Sequence, residues 1–283
     1  MGMPMAGHLR RAGHELVAWA RSAGTRQGLE QAGIACAGSP AELAARVDVL
    51  FSNVTSTEDV REVLLGAQGA VHGARAGLLC IDHSTIAPQG ARDIATRLAA
   101  REVGFVDAPV SGGVRGAQQA TLSIMVGGAE ADFERAAPLL QLLGSSVTYM
   151  GPSGSGQVAK LCNQLVQVVT IQGIAEAMRL AAAERADLSR VLQALSAGFA
   201  GSRMLDLMGP KMAARDFSAG IEARLHAKDF GLAAEAAAQA GLELPALRVV
   251  HAQLLELMRH GWGRDDTSSL LRVLEAAPGP RAG

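Results

Sequence analysis

Lys160, Asn163 and Gln164 stand at positions i, i+3 and i+4. In a helix that spacing puts one ammonium and two carboxamides on a single face within two turns. Such a set can pass a proton to or from an oxygen atom and hold that oxygen by hydrogen bonds. A helix is expected here. Gly151, Pro152, Gly154 and Gly156 do not sit cheaply in a helix interior, whereas the run from Gln157 to Glu184 has no proline and one glycine, Gly173, so the helix starts near Gly156. A lysine in the opening turns feels the positive end of the macrodipole, which disfavours its ammonium form and makes it a better proton donor. A plainer reading stands beside this one on spacing alone: Lys160 extends its stem to solvent and Asn163 caps a neighbouring carbonyl.

The segments ahead of this helix alternate in period. Helical patterns cover Met3 to Arg11, Arg26 to Ala32, Ala41 to Ala45, Glu58 to Leu65, Ala87 to Glu102 and Ala131 to Leu143. Strand patterns cover Glu15 to Ala20, Ile34 to Cys36, Val47 to Ser52, Gly77 to Ile81, Gly104 to Asp107, Thr121 to Val126 and Ser146 to Tyr149. This alternation predicts an α/β domain on a largely parallel sheet, Rossmann-like, over residues 1–150. After Gly151 the strand patterns stop. Helices are predicted over Ser189 to Ala197, Lys228 to Ala240, Ala246 to His260 and Ser268 to Leu274, so residues 151–276 read as an all-helical domain hung on the long helix. The tail, residues 277–283, is rich in proline, glycine and alanine and is expected to be disordered.

Composition narrows the partners. Lys and Arg number 26 against 27 Asp and Glu, scattered without a basic stripe, which argues against nucleic acid. Cys36, Cys80 and Cys162 are widely spaced, and no Cys or His pair has ligand spacing, so neither a disulfide framework nor a metal site is expected and a reducing cytoplasm fits. The apolar segment from Leu161 to Ala183 carries Asn163, Gln164, Gln167, Gln172, Glu176 and Arg179, too many polar groups for a bilayer span. The arginines of the first 26 residues give them the look of a transit peptide, but Leu16 to Trp19 reads as a strand and favours folded structure.

One element is missing. A dinucleotide-binding fold needs a strand, a glycine-rich turn, then a helix whose N-terminus receives the pyrophosphate. Only Met1 and Gly2 precede the first helical pattern. The missing strand belongs mid-sheet, so its loss leaves two neighbours with unpaired edges. Because the downstream pattern is intact, the expectation is a start assigned too late, with about ten residues ahead of Met1. A true truncation with weakened cofactor binding is the alternative.

Gly2 to Ala6, Gly13 with His14, Asp82 to Thr85, Asp107 to Gly113, Gly151 to Gly156 with Lys160 and Asn163, and Lys228 with Asp229 together resemble the β-hydroxyacid dehydrogenases, essentially from Gly2 to Leu274. The resemblance implies nicotinamide-dependent interconversion of a small 3-hydroxy acid and its semialdehyde, in the manner of 3-hydroxyisobutyrate dehydrogenase or tartronate semialdehyde (2-hydroxy-3-oxopropionate) reductase. It gives Lys160 the role of general acid and base and gives Asn163 the orientation of substrate and lysine. It assigns Ser111, Gly112 and Gly113 to the substrate carboxylate, where two glycines let backbone amides approach an anion and the hydroxyl adds a donor. An ordinary turn after the strand is the alternative for that triplet.

By the same resemblance Gln164 stands where many members carry a second Asn, which favours the tartronate semialdehyde reductase branch. Gly2 and Met3 meet the pyrophosphate; Asn53, Val54 and Thr55 form a loop that is usually Met-Leu-Pro; Ser84 and Thr85 lie by the nicotinamide. Lys228 reaches nicotinamide or substrate and Asp229 braces a helix start, or else the two are an exposed charged pair there. The strand from Glu15 is followed by Arg21 and Ser22, with no acid to accept a ribose 2′-hydroxyl, so NADP is expected over NAD. Arg224 and His226 bring polar groups near Lys228, and Arg224 is expected on a surface. The active site is expected between the two domains.

The long apolar helix predicts a homodimer, or a tetramer built from dimers. Two rivals stay open. One is an imine reductase-like enzyme, which Lys160 disfavours; the other is a non-catalytic or cofactor-impaired relative acting as an interaction module, which the absent glycine turn favours and the intact set of Lys160, Asn163, Ser111, Gly112 and Gly113 disfavours.

Overall fold

A computed structural model describes residues 1–276; the tail for which disorder was expected lies outside the described residues. The chain divides into two compact units, Met1–Lys160 and Leu161 onward.

In the first unit α1 (Gly2–Arg11) leads into β1 (Val17–Ala18), α2 (Ala23–Gln31), β2 (Ala35–Cys36), α3 (Pro40–Ala44), β3 (Val49–Ser52), α4 (Thr57–Leu65), β4 (Leu79–Asp82), α5 (Pro88–Ala99) and β5 (Gly104–Asp107). It continues with β6 (Val110–Ser111), α6 (Gly113–Gln119), β7 (Leu122–Gly128), α7 (Glu130–Leu140), β8 (Gly144–Gly151) and the start of α8 (Ser155–Ala183). The helix starts follow local chemistry. Ser22, Ser39 and Ser56 each accept the N–H three residues on, and Ser56 with Asp59 closes a capping box.

The sheet is split. β1 and β2 pair in parallel with each other alone, while β3, β4, β5, β7 and β6 run in that order in a second sheet, with β8 on β7. The strand expected from Glu15 to Ala20 is only two residues long, because among the described residues β1 finds no partner but β2. The sheet is also less parallel than the alternation predicts: β7 runs antiparallel to both β5 and β6. The reason is connection length. β6 reaches β7 through the short α6 alone, less than the crossover that parallel pairing needs.

Side-chain alternation divides the core of this unit. Leu79, Ile81, Val106 and Ile124 pack with Met5 and Leu9 of α1 on one face. Leu50, Cys80 and Phe105 pack with Val60, Ile94 and Leu98 of α4 and α5 on the other.

The second unit is helical: most of α8, then α9 (Leu188–Ala197), α10 (Arg203–Ala214), α11 (Ala223–Gln239), α12 (Pro245–Arg259) and α13 (Leu270–Ala276). Its core joins Val168, Ile171, Ala175 and Met178 of α8 to Phe230, Leu254, Leu257 and Leu270. α6, β6 and α10 had no counterpart in the sequence reading. In α10 the proline at position 210 and glycine at 209 mask the helical pattern.

Candidate active site

β4 and β5 are apolar until their last residue, which in both is a buried aspartate. Asp82 and Asp107 are register partners across the parallel pair. Burial of a carboxylate requires hydrogen-bond partners, and each has them.

Asp82 gathers the cofactor-loop candidates. Its Oδ1 accepts from Ser52 Oγ at 2.8 Å and from Ser84 Oγ at 2.7 Å. Ser84 Oγ in turn accepts the Val54 N–H at 2.9 Å, so the loops that follow β3 and β4 are tied together. Asn53 and Thr55 are exposed on that rim, Val54 and Thr85 are half-buried, and Ser84 is buried. Asn53 Nδ2 lies 3.8 Å from Met5 Sδ of α1. Gly2 and Met3 are exposed at the start of α1, which has no side-chain cap and no acid in its first turn. Its first N–H groups are thus open to an anion.

Asp107 gathers the start of α8. Its Oδ1 accepts the Gly154 N–H at 2.7 Å and its Oδ2 the Gln157 N–H at 2.9 Å. The Gln157 side chain donates to Ser84 O at 2.9 Å and accepts from the Ile86 N–H at 3.0 Å, fastening the same turn to the loop after β4. Burial pushes the Asp107 carboxyl up to about 7, against the pull of the Gly154 and Gln157 N–H groups and of its own backbone N–H, with Asp82 adding to the rise.

His83 lies between these two loops. Its Nδ1 is 2.6 Å from Ala108 O, and since a carbonyl only accepts, Nδ1 carries the proton. Burial holds His83 down to about 4, so the ring is neutral and stacks on Phe51.

Lys160 does not extend to solvent: it is 7% exposed, in the second turn of α8. Further along the helix Asn163 donates from Nδ2 to Gln164 Oε1 at 2.9 Å rather than, among the described residues, to a carbonyl, and Gln164 donates to Asp229 Oδ2 at 2.6 Å. Lys228 and Asp229 are not at a helix start, as the sequence suggested; α11 begins at Ala223, and the pair sits inside it with Nζ 3.0 Å from Asp229 Oδ1. Asp229 is buried, so the exposed-pair alternative is corrected as well. The helix begins earlier because Glu222 and Asp266 bridge their backbones and fix the chain ahead of Ala223. Arg224 is exposed, as expected, and pairs with Glu222, whereas His226 is buried against Thr267 Oγ1 at 2.7 Å.

Ser111, Gly112 and Gly113 form more than a turn. Ser111 closes β6, Gly112 has φ +128° and Gly113, at φ +62°, opens α6. A side chain is disfavoured at both backbone angles. A Cβ on Gly113 would meet nothing within 4 Å, so its face is open to a small anion.

Arg21 and Ser22 follow β1. Ser22 caps α2 through Thr25 N, and Arg21 Nη1 pairs with Asp59 Oδ1 at 3.0 Å while its side chain stays 81% exposed. The donor set fits a nicotinamide dinucleotide: an uncapped helix N-terminus, an arginine after β1, and hydroxyls at the carboxyl ends of β3 and β4. In the sequence Asp82 and Asp107 stand out only as parts of motifs. A charge ending an otherwise apolar strand was the signal available for both.

The chain is similar to known proteins along nearly its whole length. Residues 1–151 match the NAD binding domain of 6-phosphogluconate dehydrogenase, and residues 154–274 match the NAD-binding domain of NADP-dependent 3-hydroxyisobutyrate dehydrogenase. The chain is 38% identical over 280 residues to 2-hydroxy-3-oxopropionate reductase of Escherichia coli, covering 97% of this chain and 94% of that one. It is 38% identical over 276 residues to a probable mitochondrial 3-hydroxyisobutyrate dehydrogenase-like protein of Arabidopsis thaliana, covering 97% and 82%. The structure of Mycobacterium tuberculosis 3-hydroxyisobutyrate dehydrogenase with L-serine superposes with a TM-score of 0.90 at 30% identity, covering 98% of this chain and 96% of that one. By motif, fold and full-length similarity, the chain belongs to the β-hydroxyacid dehydrogenase family.

Proposed function

We propose that this chain interconverts a small 3-hydroxy acid and its semialdehyde, with Lys160 as the general acid and base. The activity class, a nicotinamide-dependent hydroxyacid dehydrogenase, follows from membership of the family. The observation that carries the role of Lys160 is its burial one turn beyond a helix start that Asp107 and Gln157 fasten to the strand ends. An amine held in this way can give a proton to an oxygen and take it back.

When bound, the nicotinamide supplies a hydride to the carbonyl carbon on reduction and takes it back on oxidation. Lys160 Nζ gives its proton to the carbonyl oxygen on reduction and removes the hydroxyl proton on oxidation. Ser111, Gly112 and Gly113 present backbone N–H groups and a hydroxyl to the carboxylate. Asn163 and Gln164 orient the substrate, and Lys228 serves the nicotinamide or the substrate. Gly2, Met3, Asn53, Val54, Thr55, Ser84 and Thr85 hold the cofactor. Arg21, with Ser22, takes a 2′-phosphate, which favours NADP over NAD. Residues 1–150 supply the cofactor domain and residues 151–276 the helical substrate and dimerisation domain.

A homodimer or a tetramer of dimers, in the cytoplasm, completes the reading. α8 is long and apolar enough to cross a membrane, yet only 39% of its most apolar window is buried within the chain. The polar ties of Gln164 and Gln172 support a core helix. Replacing Lys160 by Ala should lower turnover of a 3-hydroxy acid or semialdehyde by about 100-fold or more. NADPH affinity, read by nicotinamide fluorescence, should stay within about twofold. Turnover near that of the parent would refute the role.

A further inference from the structure

We infer that Asp107 is a positioning residue for this reaction: its carboxylate seats the first turn of α8 and so sets where Lys160 stands. The inference rests on the proposed role of Lys160.

The grip is two-pointed. Gly154 immediately precedes the helix and Gln157 is its third residue, and each gives its N–H to a different oxygen of Asp107. Two bonds from one planar group fix both the height of the turn and its rotation. Lys160 follows Gln157 by three residues, about 4.5 Å along the axis. An error at the first turn therefore reaches Nζ undiminished.

The backbone closes on this carboxylate from both sides. A Cβ on Gly127 of β7 would stand 2.8 Å from Oδ1, and one on Gly156 of α8 would stand 2.9 Å from Oδ2. Glycine at both positions leaves space for the carboxylate and little else. Because Gln157 also binds Ser84 O, the turn is registered against the loop that carries Ser84 and Thr85. Asp107 thus relates the height of the lysine to the residues assigned to the nicotinamide.

The charged surroundings are few. β4 contributes Asp82, the register partner, with His83 beside it held neutral on Ala108 O. β7 contributes glycine, α8 brings Lys160 a turn away, and α5 brings Arg92, whose Nε would lie 3.1 Å from a Cβ on Gly154. With the carboxyl up at about 7, protonation falls within the working range. A protonated carboxyl turns an O–H toward one of the two N–H groups, so the grip loosens as pH falls.

Asp107→Asn tests this, because the amide keeps the shape but points an NH2 group at one of the two N–H donors. Turnover should fall about 10- to 100-fold, as expected for a displaced catalytic group, with KM and NADPH affinity within about threefold. The kcat profile of the parent should show a step near pH 7 that the variant lacks. Loss of turnover in K160A beside unchanged turnover and pH profile in D107N would overturn the positioning role and leave the reaction standing. Normal turnover in K160A would overturn the reaction assignment instead. If D107N does not fold, the parent chain decides: the 15N amide shifts of Gly154, Gln157 and Lys160 should move together through one midpoint near pH 7. Static shifts at Gly154 and Gln157 would sink the inference.

Discussion

Asp82 and Asp107 lie side by side at the carboxyl ends of β4 and β5, two buried carboxylates that organise different loops. Asp82 ties the β3 and β4 loops through Ser52 and Ser84, and Asp107 ties the start of α8. Ligands of open α/β sheets gather at this end of the strands. Next to Asp82 stands His83, bonded to Ala108 O, and its titration opposes that of Asp107.

Asp107 rises from 3.8 to about 7 on folding, so its contribution to stability is full below pH 3.8 and is lost as pH rises through about 7. His83 falls from 6.5 to about 4, so its contribution is present above pH 6.5 and is lost as pH falls through about 4. Over the shared window the two slopes oppose each other. Urea midpoints of H83N should therefore rise on acidification from about pH 6.5 to about 4.5, and those of D107N should fall. Parallel slopes in the two variants would contradict the assignment.

Gly127→Ala should destabilise the first unit. The added Cβ would lie 2.7 Å from Gly156 N as well as close to the Asp107 carboxylate, and all of these are backbone or tightly held atoms. Overpacking of this kind costs about 1–3 kcal/mol. Chemical denaturation measures it, and a loss below about 0.5 kcal/mol would show that the sheet end yields more than its contacts suggest.

Arg21→Ser should weaken NADPH about tenfold or more and leave NADH nearly unchanged, measured by paired fluorescence titrations. The exposed pair with Asp59 does not oppose this, because a solvent-screened ion pair is readily exchanged for a phosphate. Equal losses for the two cofactors would remove Arg21 from cofactor choice.

The outward side of α8 carries Val158, Val166 and Leu180, at 43%, 69% and 65% exposure. A helix with apolar residues on this side as well as in the core needs cover. If the proposed oligomer forms through this side, Val166→Asp with Leu180→Asp should shift the chain toward a monomer in light scattering; an unchanged mass would overturn that contact.

Much of this was legible in the residues. The period of the apolar positions placed most helices and strands, and the glycines and proline from Gly151 to Gly156 placed the start of α8 within a residue or two. What stayed hidden was set by pairing and burial. Nothing local in Val110 and Ser111 announces a strand, because β6 exists through its pairing with Ile124 and Ser123. The burial of Asp229 depends on Gln164, 65 residues away. Sequence spacing put Lys160 on a helix face but left open whether that face was wet, and burial of the side chain answers it.

The divided sheet has a dynamic consequence. β1 and β2 hold each other by two residue pairs, and the βαβ segment they frame is fastened to the remainder by contacts such as Arg10 with Ala32 O and Arg21 with Asp59. Among the described residues, few long-range hydrogen bonds resist its opening. Amides from about Val17 to Cys36 are expected to exchange with deuterium well before those of β4 and β5, as the lowest-energy cooperative unit of the chain. Since Arg21 and Ser22 lie within that unit, a dinucleotide bridging them to α1 would slow the exchange. Adenosine-end recognition and local folding would then be one equilibrium, and part of the binding energy would go into closing the segment.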